Sequence, residues 1–174
     1  MRRLMLLRHA KSDWENNDIG DIDRPLKFRG ICDAYNLGRR LLDHDLKPDG
    51  ILSSSAERAL HTAVIVSRAM GLSTRTISIE SSLYEASPGR LLMEIGKVPD
   101  TVSSLMVVGH NPELESLSGK LSRGEVSTLP TCGLVVVNFG SMTWNEVEEG
   151  GEATLELYDF PKLGMKSVSS FIKS

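Results

Sequence analysis

The chain has 174 residues, of which 40% are hydrophobic, and a formal net charge of −3 at pH 7. This length and composition predict a single domain with an apolar core over residues 1–174. The acidic balance and the lack of a long basic run argue against binding to nucleic acid or to an anionic membrane surface, and no apolar stretch approaches the length of a membrane span. Any positively charged binding site must therefore be local.

The first predicted unit is a strand, a loop and a helix. The short apolar run from Leu4 to Leu7 is typical of a buried strand, and it is followed directly by Arg8 and His9. Residues 13–25 are acidic and turn-rich and have no periodicity, which predicts a surface loop. Residues 26–44 are predicted to be a helix. Its apolar residues recur at helical spacing: Ile31, Ala34, Leu37, Leu41 and Leu42.

A second unit of the same kind follows. Ile51 and Leu52 begin a short strand, and the serines at 53–55 supply candidate N-caps for a helix over about Ala56 to Met70. Arg58 then lies in the first turn of a helix that follows a strand. Free backbone N–H groups and the helix dipole favour anions at such a place.

The later elements complete an alternating pattern. Leu105 to Val108 is the clearest parallel-sheet strand, and His110 lies at the turn that follows it. Pro112 suits the first helical position of the next helix, with Asn111 as its cap. Two further elements, a short strand and a helix, are predicted before this unit: residues 76–79 and 90–95.

The end of the chain predicts two neighbouring strands. Residues 134–139 and 154–158 are apolar runs separated by glycine-containing turns, which indicates a hairpin at one edge of the sheet. Strands that alternate with helices predict an α/β fold with a mostly parallel central sheet.

Three strand-to-helix turns each carry a side chain suited to phosphate. Arg8 with His9, Arg58 and His110 lie at the carboxyl ends of predicted parallel strands, and such ends meet at one edge of a sheet. Arginines grip the nonbridging oxygens of a phosphate and a neutral imidazole can attack phosphorus. Glu85, before a Pro-Gly turn, is a candidate acid for the leaving group. Each residue alone is more typical of a solvated surface.

The pieces occur in a specific order along the chain. They are Leu6-Leu7-Arg8-His9-Ala10, Asp23-Arg24-Pro25-Leu26 with Gly30, Ser53-Ser54-Ser55-Ala56-Glu57-Arg58-Ala59 with Thr62, Leu83-Tyr84-Glu85, and Val108-Gly109-His110-Asn111-Pro112. This set resembles the histidine phosphatase (phosphoglycerate-mutase-like) superfamily, and in detail its small SixA-type phosphohistidine phosphatase branch. The resemblance covers residues 4 to about 133 and implies a three-layer α/β/α sandwich.

The resemblance also implies roles for individual residues. His9 is expected to be the nucleophile that becomes phosphorylated, Arg8, Arg58 and His110 to hold the phosphate, and Glu85 to donate the proton. The chain departs from the family pattern in two ways. Ala10 replaces the glycine that commonly follows the catalytic histidine, and Glu15 falls where mutase-like members carry a phosphate-binding asparagine. Ser12 and Asn16 are the candidate substitutes for that contact. Trp14 is a candidate residue at the pocket entrance.

The substrate is expected to be presented from outside. The intervals between Arg58, Glu85 and His110 are filled by predicted elements, so the sequence predicts one domain without a helical lid insertion. An open site admits a phosphohistidine on a protein surface, whereas lids favour small sugar phosphates. A small-molecule phosphomonoesterase of the same fold is the alternative. A phosphate-binding or phosphoprotein-docking module with little activity is the alternative from another class.

The remaining expectations concern cofactors and location. Arginines supply the charge of the pocket and no carboxylate cluster lies beside it in the sequence, so no metal or other cofactor is expected. Lys11 and Arg24 are candidates for positive potential at the rim, although a solvated loop charge is the commoner interpretation. Cys32 and Cys132 have no metal-site spacing, which predicts two buried, free thiols in a reducing compartment and therefore a cytoplasmic protein. The sequence leaves the oligomeric state and the partner protein open.

Overall fold

A mixed β-sheet runs through the centre of the molecule. The computed structural model describes residues 1–15, 18–162 and 166–167. The strands in this part of the chain are β1 (Arg3–Arg8), β2 (Gly50–Ser53), β3 (Ile77–Ile79), β4 (Ser104–Gly109), β5 (Leu134–Asn138), β6 (Thr154–Asp159) and β7 (Lys166–Ser167). The helices are α1 (Phe28–Asp43), α2 (Glu57–Ala69), α3 (Pro88–Gly96), α4 (Glu113–Leu121) and α5 (Trp144–Glu148).

The sheet has a parallel half and an antiparallel half. The strand order is β3-β2-β4-β1-β5-β6-β7. The strands β3, β2, β4 and β1 are parallel to one another, and β5, β6 and β7 continue the sheet with antiparallel pairs. The predicted hairpin is confirmed as the β5–β6 pair, and β5 also pairs with the central strand β1. The short helix α5, which was not predicted, lies in the connection between β5 and β6 and begins with a capping box at Thr143 and Glu146.

Helices cover both faces of the sheet. Side chains alternate along a strand, and in β1 Leu4 and Leu6 face one apolar cluster whereas Met5 and Leu7 face the other. The first cluster contains buried residues of α3, α4 and α5, and the second contains those of α1 and α2. The three-layer α/β/α sandwich with a mixed, partly parallel sheet is therefore confirmed.

The register of the central strands brings the three strand ends together. Arg8 of β1 is level with Gly109 of β4, and Ser53 of β2 is level with Val108. Backbone hydrogen bonds extend this alignment just past the strands: the N–H of His9 donates to the Gly109 carbonyl at 3.1 Å. The turns that follow β1, β2 and β4 consequently lie side by side at one edge of the sheet, as predicted.

Two predicted helix caps are wrong in detail. The N-cap of α2 is Ala56, without a side-chain cap, and the Ser54 hydroxyl accepts from the Ala56 N–H at 3.3 Å. Helix α4 begins at Glu113 with Pro112 as its N-cap. The Asn111 amide does not cap this helix but donates to the Leu129 carbonyl at 2.9 Å. This hydrogen bond connects two loops of the site.

Both cysteines are free thiols, as predicted, but only Cys132 is buried. Burial raises the pKa of the Cys132 thiol to about 12, which keeps it protonated and unreactive. The prediction that Cys32 is buried is wrong, because this residue is only partly covered. In the part of the chain that the structure describes, none of the helices combines the length and the apolar character that a bilayer span requires.

Beside the site, α1 passes very close to another segment of backbone, and a substitution can test how much room there is. Gly30 lies against the backbone of Lys11, whose carbonyl accepts from the Lys27 N–H at 2.9 Å, and a Cβ at position 30 would overlap that carbonyl oxygen. Because the obstacle is backbone, Gly30→Ala is expected to destabilise the protein by about 1–3 kcal/mol in urea denaturation. Gly89→Ala, where the nearest atom is 3.9 Å away, is the matched control and should change stability by less than about 0.5 kcal/mol. Equal effects of the two substitutions would contradict this interpretation.

Candidate active site

A pocket of about 260 Å³ opens where the three strand ends meet. Most of its lining residues carry charged, imidazole or hydroxyl groups. They are Arg8, His9, Lys11, Ser12, Trp14, Asp21, Arg24, Arg58, His110, Asn111 and Thr131. Four of the candidate site residues, Arg8, His9, Arg58 and His110, are therefore brought together.

His9 lies at the base of the pocket, and one of its two ring nitrogens is engaged in a hydrogen bond. Its side chain is 8% exposed, and its Nδ1 lies 2.8 Å from the carbonyl oxygen of Ala10. A carbonyl oxygen only accepts, so Nδ1 carries the hydrogen and donates it. Burial, together with the charges of Arg58 and Arg8, lowers the pKa of His9 to about 3. The ring is thus neutral, and Nε2 holds a lone pair that is free to attack.

His110 faces His9 across the pocket. The two ring centroids are 5.3 Å apart, and the Nε2 of His110 lies 2.8 Å from the Ser54 hydroxyl oxygen. If this hydroxyl donates to Nε2, Nδ1 carries the ring hydrogen and is a donor. Burial and the charge of Arg58 lower the pKa of His110 to about 4, so this ring too is neutral.

Arg8 is held by the loop that precedes β5. Its Nη1 donates to the Leu129 carbonyl at 3.0 Å, and the Leu129 N–H in turn donates to the Glu115 carboxylate at 2.7 Å. The guanidinium is half-buried, and burial lowers its pKa, although Glu115 acts in the opposite direction. These contacts fix the direction in which Arg8 presents its remaining N–H groups.

A hydroxyl group connects the backbone of Arg58 to the chain segment that carries His9. Thr62, one turn further along α2, accepts from the Ala10 N–H at 3.0 Å and donates to the Arg58 carbonyl at 2.6 Å. The start of α2 and the residue after His9 are thus held by the same side chain. This contact explains why a threonine belongs to the motif that contains Arg58.

Three buried nitrogens of the site have no partner among the described residues. They are Nε of Arg8, Nε of Arg58 and Nδ1 of His110. Buried donors are nearly always satisfied, and an oxyanion with several acceptor oxygens would satisfy donors that converge on one pocket. The geometry is therefore that of a phosphate site with an unprotonated imidazole at its base.

Glu85 is not among the residues that line this pocket. It is exposed and has a φ of 54°, in the left-handed region that a glutamate rarely adopts. Its neighbour Tyr84 does reach the site, packing edge-on against His110 with ring centroids 5.7 Å apart. Glu85 as the proton donor thus stays a prediction. The strained backbone at Glu85 is a feature that often accompanies functional positions.

Arg24 is part of the pocket, and its interpretation as a solvated rim charge is wrong. It is 6% exposed, and its Nη1 donates to the Ser12 hydroxyl at 3.0 Å. Its guanidinium also lies 3.4 Å from the ring centre of Trp14, which is itself 68% exposed. The motif Asp23-Arg24-Pro25-Leu26 was the available signal. Ser12 and Trp14 do lie at the pocket, whereas Asn16 lies outside the described residues.

Asp21 lines the pocket although the sequence did not single it out. Its carboxylate accepts from Arg58 Nη2 at 3.0 Å, from Arg24 Nε at 2.9 Å and from the Tyr84 hydroxyl at 2.8 Å. Partial burial alone would raise the pKa of Asp21, but these donors outweigh it and hold the pKa at about 2. Nothing in the acidic loop distinguishes this carboxylate from its neighbours, because its role depends on a loop conformation.

The protonation of the two histidines can be measured directly. In the phosphate-free protein neither ring should protonate between about pH 5 and pH 8, because burial and the arginines hold the pKa of His9 at about 3 and that of His110 at about 4. Ring ¹⁵N–¹H correlation spectra across this range test the expectation, with His9→Gln and His110→Gln for assignment. Tungstate, a dianion, should raise both values. A midpoint for His9 near 6.5, the ordinary pKa of a histidine side chain, would contradict the proposed neutral ground state.

The lowered pKa values of His9 and His110 also make the stability of the folded protein depend on pH. Both pKa values are lower in the folded chain than in the unfolded chain, so between about pH 4 and pH 6.5 the unfolded chain binds more protons. The stability contributed by these neutral rings is therefore present above about pH 6.5 and is lost as the pH falls.

Known proteins resemble the chain along most of its length. A Mycobacterium tuberculosis protein, Rv1276c, is 35% identical over 154 residues, which cover 83% of this chain and 93% of that protein. A candidate phosphohistidine phosphatase SixA from Agrobacterium tumefaciens is 33% identical, with a TM-score of 0.71 over 79% of this chain and 90% of that one. The corresponding candidate from Nakamurella multipartitia is 26% identical, with a TM-score of 0.80 over 92% and 96%.

A family model matches the same region that the motifs single out. Residues 4–101, which carry Arg8, His9, Arg58 and Glu85, match the histidine phosphatase superfamily, branch 1. Together with the relative that is 35% identical, and with a pocket that holds a neutral histidine beside buried arginines, this match identifies the family. The chain belongs to the histidine phosphatase superfamily.

Proposed function

We propose that the protein removes phosphoryl groups from phosphohistidine on a partner protein, through a covalent phosphohistidine formed on His9. The observation that carries the proposal is the hydrogen bond from His9 Nδ1 to the Ala10 carbonyl, which leaves Nε2 unprotonated at the base of an arginine-lined pocket. General phosphatase chemistry follows from the family. The two structural relatives described above as candidate phosphohistidine phosphatases support the more specific substrate.

In the first step the phosphoryl group is bound by the unpartnered donors of Arg8, Arg58 and His110. The lone pair on Nε2 of His9 attacks phosphorus in line with the bond that breaks. The arginines stabilise the charge on the equatorial oxygens, which are the atoms that change most during phosphoryl transfer. Because the ring is already neutral, no base is needed to activate it.

In the second step water attacks the phosphorus carried by His9, the bond to Nε2 breaks, and the proton that the water loses is taken by Glu85 or by solvent. His9 is then a good leaving group, because its Nδ1 still carries the hydrogen that it donates to Ala10. The departing Nε2 recovers its lone pair and the ring returns to the starting tautomer. Inorganic phosphate then dissociates from the same arginines.

The exposed position of Glu85 favours a substrate with a P–N bond. Alkyl esters need a well-placed acid, since an alkoxide is a poor leaving group. The imidazole of a phosphohistidine departs readily when its other nitrogen is protonated, so the demand on a protein acid is small. The structure places no carboxylic acid other than Asp21 along the pocket, within the residues described. This arrangement suits phosphohistidine better than sugar phosphates.

The size of the pocket points the same way. A volume of about 260 Å³ lies below the range of roughly 300–1,000 Å³ that is usual for drug-sized ligands. A phosphoryl group with one imidazole ring is small enough to enter, and the remainder of the substrate then lies outside. A partner protein supplies that remainder. The cytoplasmic location stays a prediction from the sequence.

The substrate class is tested by comparing kcat/KM for a histidine-phosphorylated carrier protein with that for a panel of small phosphomonoesters. We expect a strong preference for the carrier, and His9→Ala should abolish turnover of every substrate while phosphate-analogue binding is partly retained. His61→Ala, on the exposed face of α2, is the matched control. A preference for one small ester would overturn the proposed substrate and favour a small-molecule phosphomonoesterase. A lack of any His9-dependent turnover would favour a phosphoprotein-docking module.

The role of Glu85 is tested by its amide variant. Because leaving-group protonation matters more for esters, Glu85→Gln should lower kcat on an alkyl phosphate more than on phosphohistidine, where the loss should be less than about fivefold. Glu80→Gln, which removes a carboxylate from the adjacent 3₁₀ turn, controls for charge. Equal losses on both substrates would argue that Glu85 acts through the backbone of the Tyr84 segment.

A further inference from the structure

A single carboxylate lies among the cations of the pocket. Of the described residues that line it, four are Arg or Lys, and Asp21 is the acidic one. Three hydrogen bonds fix the Asp21 carboxylate, from Arg58, Arg24 and Tyr84. An anion beside the arginine carries an electrostatic cost at a phosphate site, because the carboxylate repels the phosphoryl dianion and shares one of its donors. This carboxylate therefore needs a separate explanation.

Asp21 lies nearer the mouth of the pocket than the nucleophile does. Its side chain is 46% exposed, whereas His9 is 8% exposed. Attack on phosphorus is in line, so the leaving group departs on the side of phosphorus opposite to Nε2 of His9, toward the mouth. A group leaving in that direction moves into the region beside the Asp21 carboxylate. The charge carried by that group then decides whether the carboxylate attracts or repels it.

We propose that Asp21 is a specificity-determining residue, which selects phosphoryl compounds whose leaving group carries a positive charge or a hydrogen-bond donor close to phosphorus. Compounds with a second anion at that place are rejected. The proposal deepens the phosphohistidine phosphatase function and rests on it for the natural substrate. A phosphohistidine ring protonated at its distal nitrogen has the required cation, whereas a phosphorylated hydroxy acid has the opposite charge.

The bond changes are consistent with this role. As Nε2 of His9 forms its bond to phosphorus, the P–N bond of the substrate breaks and its electron pair returns to the ring nitrogen. The substrate ring, protonated on its other nitrogen, leaves as neutral imidazole and keeps that hydrogen. The Asp21 carboxylate accepts a hydrogen bond from this N–H before and after the step. It stabilises the charged ring without transferring a proton itself.

A purely structural role for Asp21 makes a different prediction. If the carboxylate only holds Arg58 and Tyr84 in place, its loss weakens the binding of all phosphates by one common factor. Selection by charge instead changes the ratio of the dissociation constants of ligands that differ in charge. This ratio of dissociation constants therefore distinguishes the two roles.

The test measures dissociation constants by calorimetry in a His9→Ala background, which binds without turnover, for three phosphomonoesters with a two-carbon chain: phosphoethanolamine, ethyl phosphate and phosphoglycolate. The second carbon carries an ammonium group in phosphoethanolamine, is the methyl group of ethyl phosphate and is the carboxylate carbon of phosphoglycolate. With Asp21 present, phosphoethanolamine should bind most tightly and phosphoglycolate most weakly. In Asp21→Asn the ratio of the outer two constants should fall about tenfold, as removal of a nearby partly screened charge implies. Asp23→Asn, an exposed carboxylate of the same turn that does not line the pocket, should leave the ratio unchanged.

A second measurement needs no change at Asp21. Added salt screens the carboxylate, so in the same His9→Ala background the ratio should shrink as the ionic strength rises from about 0.01 M to 1 M. A ratio that does not respond to salt or to Asp21→Asn would overturn the proposal, as would an equal weakening of all three ligands. Because these constants are measured in a variant that does not turn the ligands over, they are independent of whether the wild-type enzyme hydrolyses phosphohistidine. Failure of that hydrolysis would overturn the proposed function alone.

Discussion

The hydrogen bond between His9 and the carbonyl of Ala10 is the contact on which the site depends. It decides which nitrogen carries the hydrogen and therefore which nitrogen can attack. The Ala10 peptide is itself fixed, since its N–H donates to Thr62 on α2. The chain after Ala10 then passes α1 at Gly30, where only a residue without a Cβ leaves room for the Lys11 backbone. The chemistry of one imidazole is thus set by helices on the same face of the sheet.

The charge of the pocket and the neutrality of its histidines have one origin. Burial beside guanidinium groups makes a protonated imidazole unfavourable, which keeps His9 and His110 neutral. The same guanidinium groups attract the phosphoryl dianion. When that dianion binds, the electrostatic penalty on a protonated ring falls, so His110 becomes a better donor at the stage when charge on phosphate oxygens must be stabilised. Phosphoryl binding thus raises the pKa of the histidines without any change of fold.

The parts of this arrangement that the sequence predicted are those that depend on strands. The apolar runs of β1 and β4 are long enough to be recognised as buried, and parallel strands of that kind end at one edge of the sheet. Arg8, His9 and His110 follow those runs directly, so their convergence needs only the topology. Arg58 was found for the same reason, because it lies at the start of a helix that follows β2.

The parts that the sequence did not predict depend on loops. Arg24 and Asp21 lie in a segment without periodicity, and there a buried charge and a solvated charge look the same. The N-cap of α2 was misassigned because three consecutive serines offered equally good oxygens, while the fold uses Ser54 to hold His110. Glu85 was linked to the site by its motif, but the left-handed backbone at that residue is a property that local propensity does not show.

This division has a physical meaning for the enzyme. The nucleophile and the phosphate donors lie on strand ends and a helix start, where backbone hydrogen bonds limit movement, and phosphoryl transfer requires such fixed geometry. The carboxylate at the mouth lies on a loop that is attached to the rest by side-chain contacts, chiefly from Arg58 and Tyr84 to Asp21 and from Arg24 to Ser12. Substitutions in that loop can therefore change which leaving group is accepted while the geometry of attack at His9 is kept. The sheet edge thus fixes the groups that bind and attack phosphorus, and the loop of residues 18–25 carries the proposed selection of the leaving group.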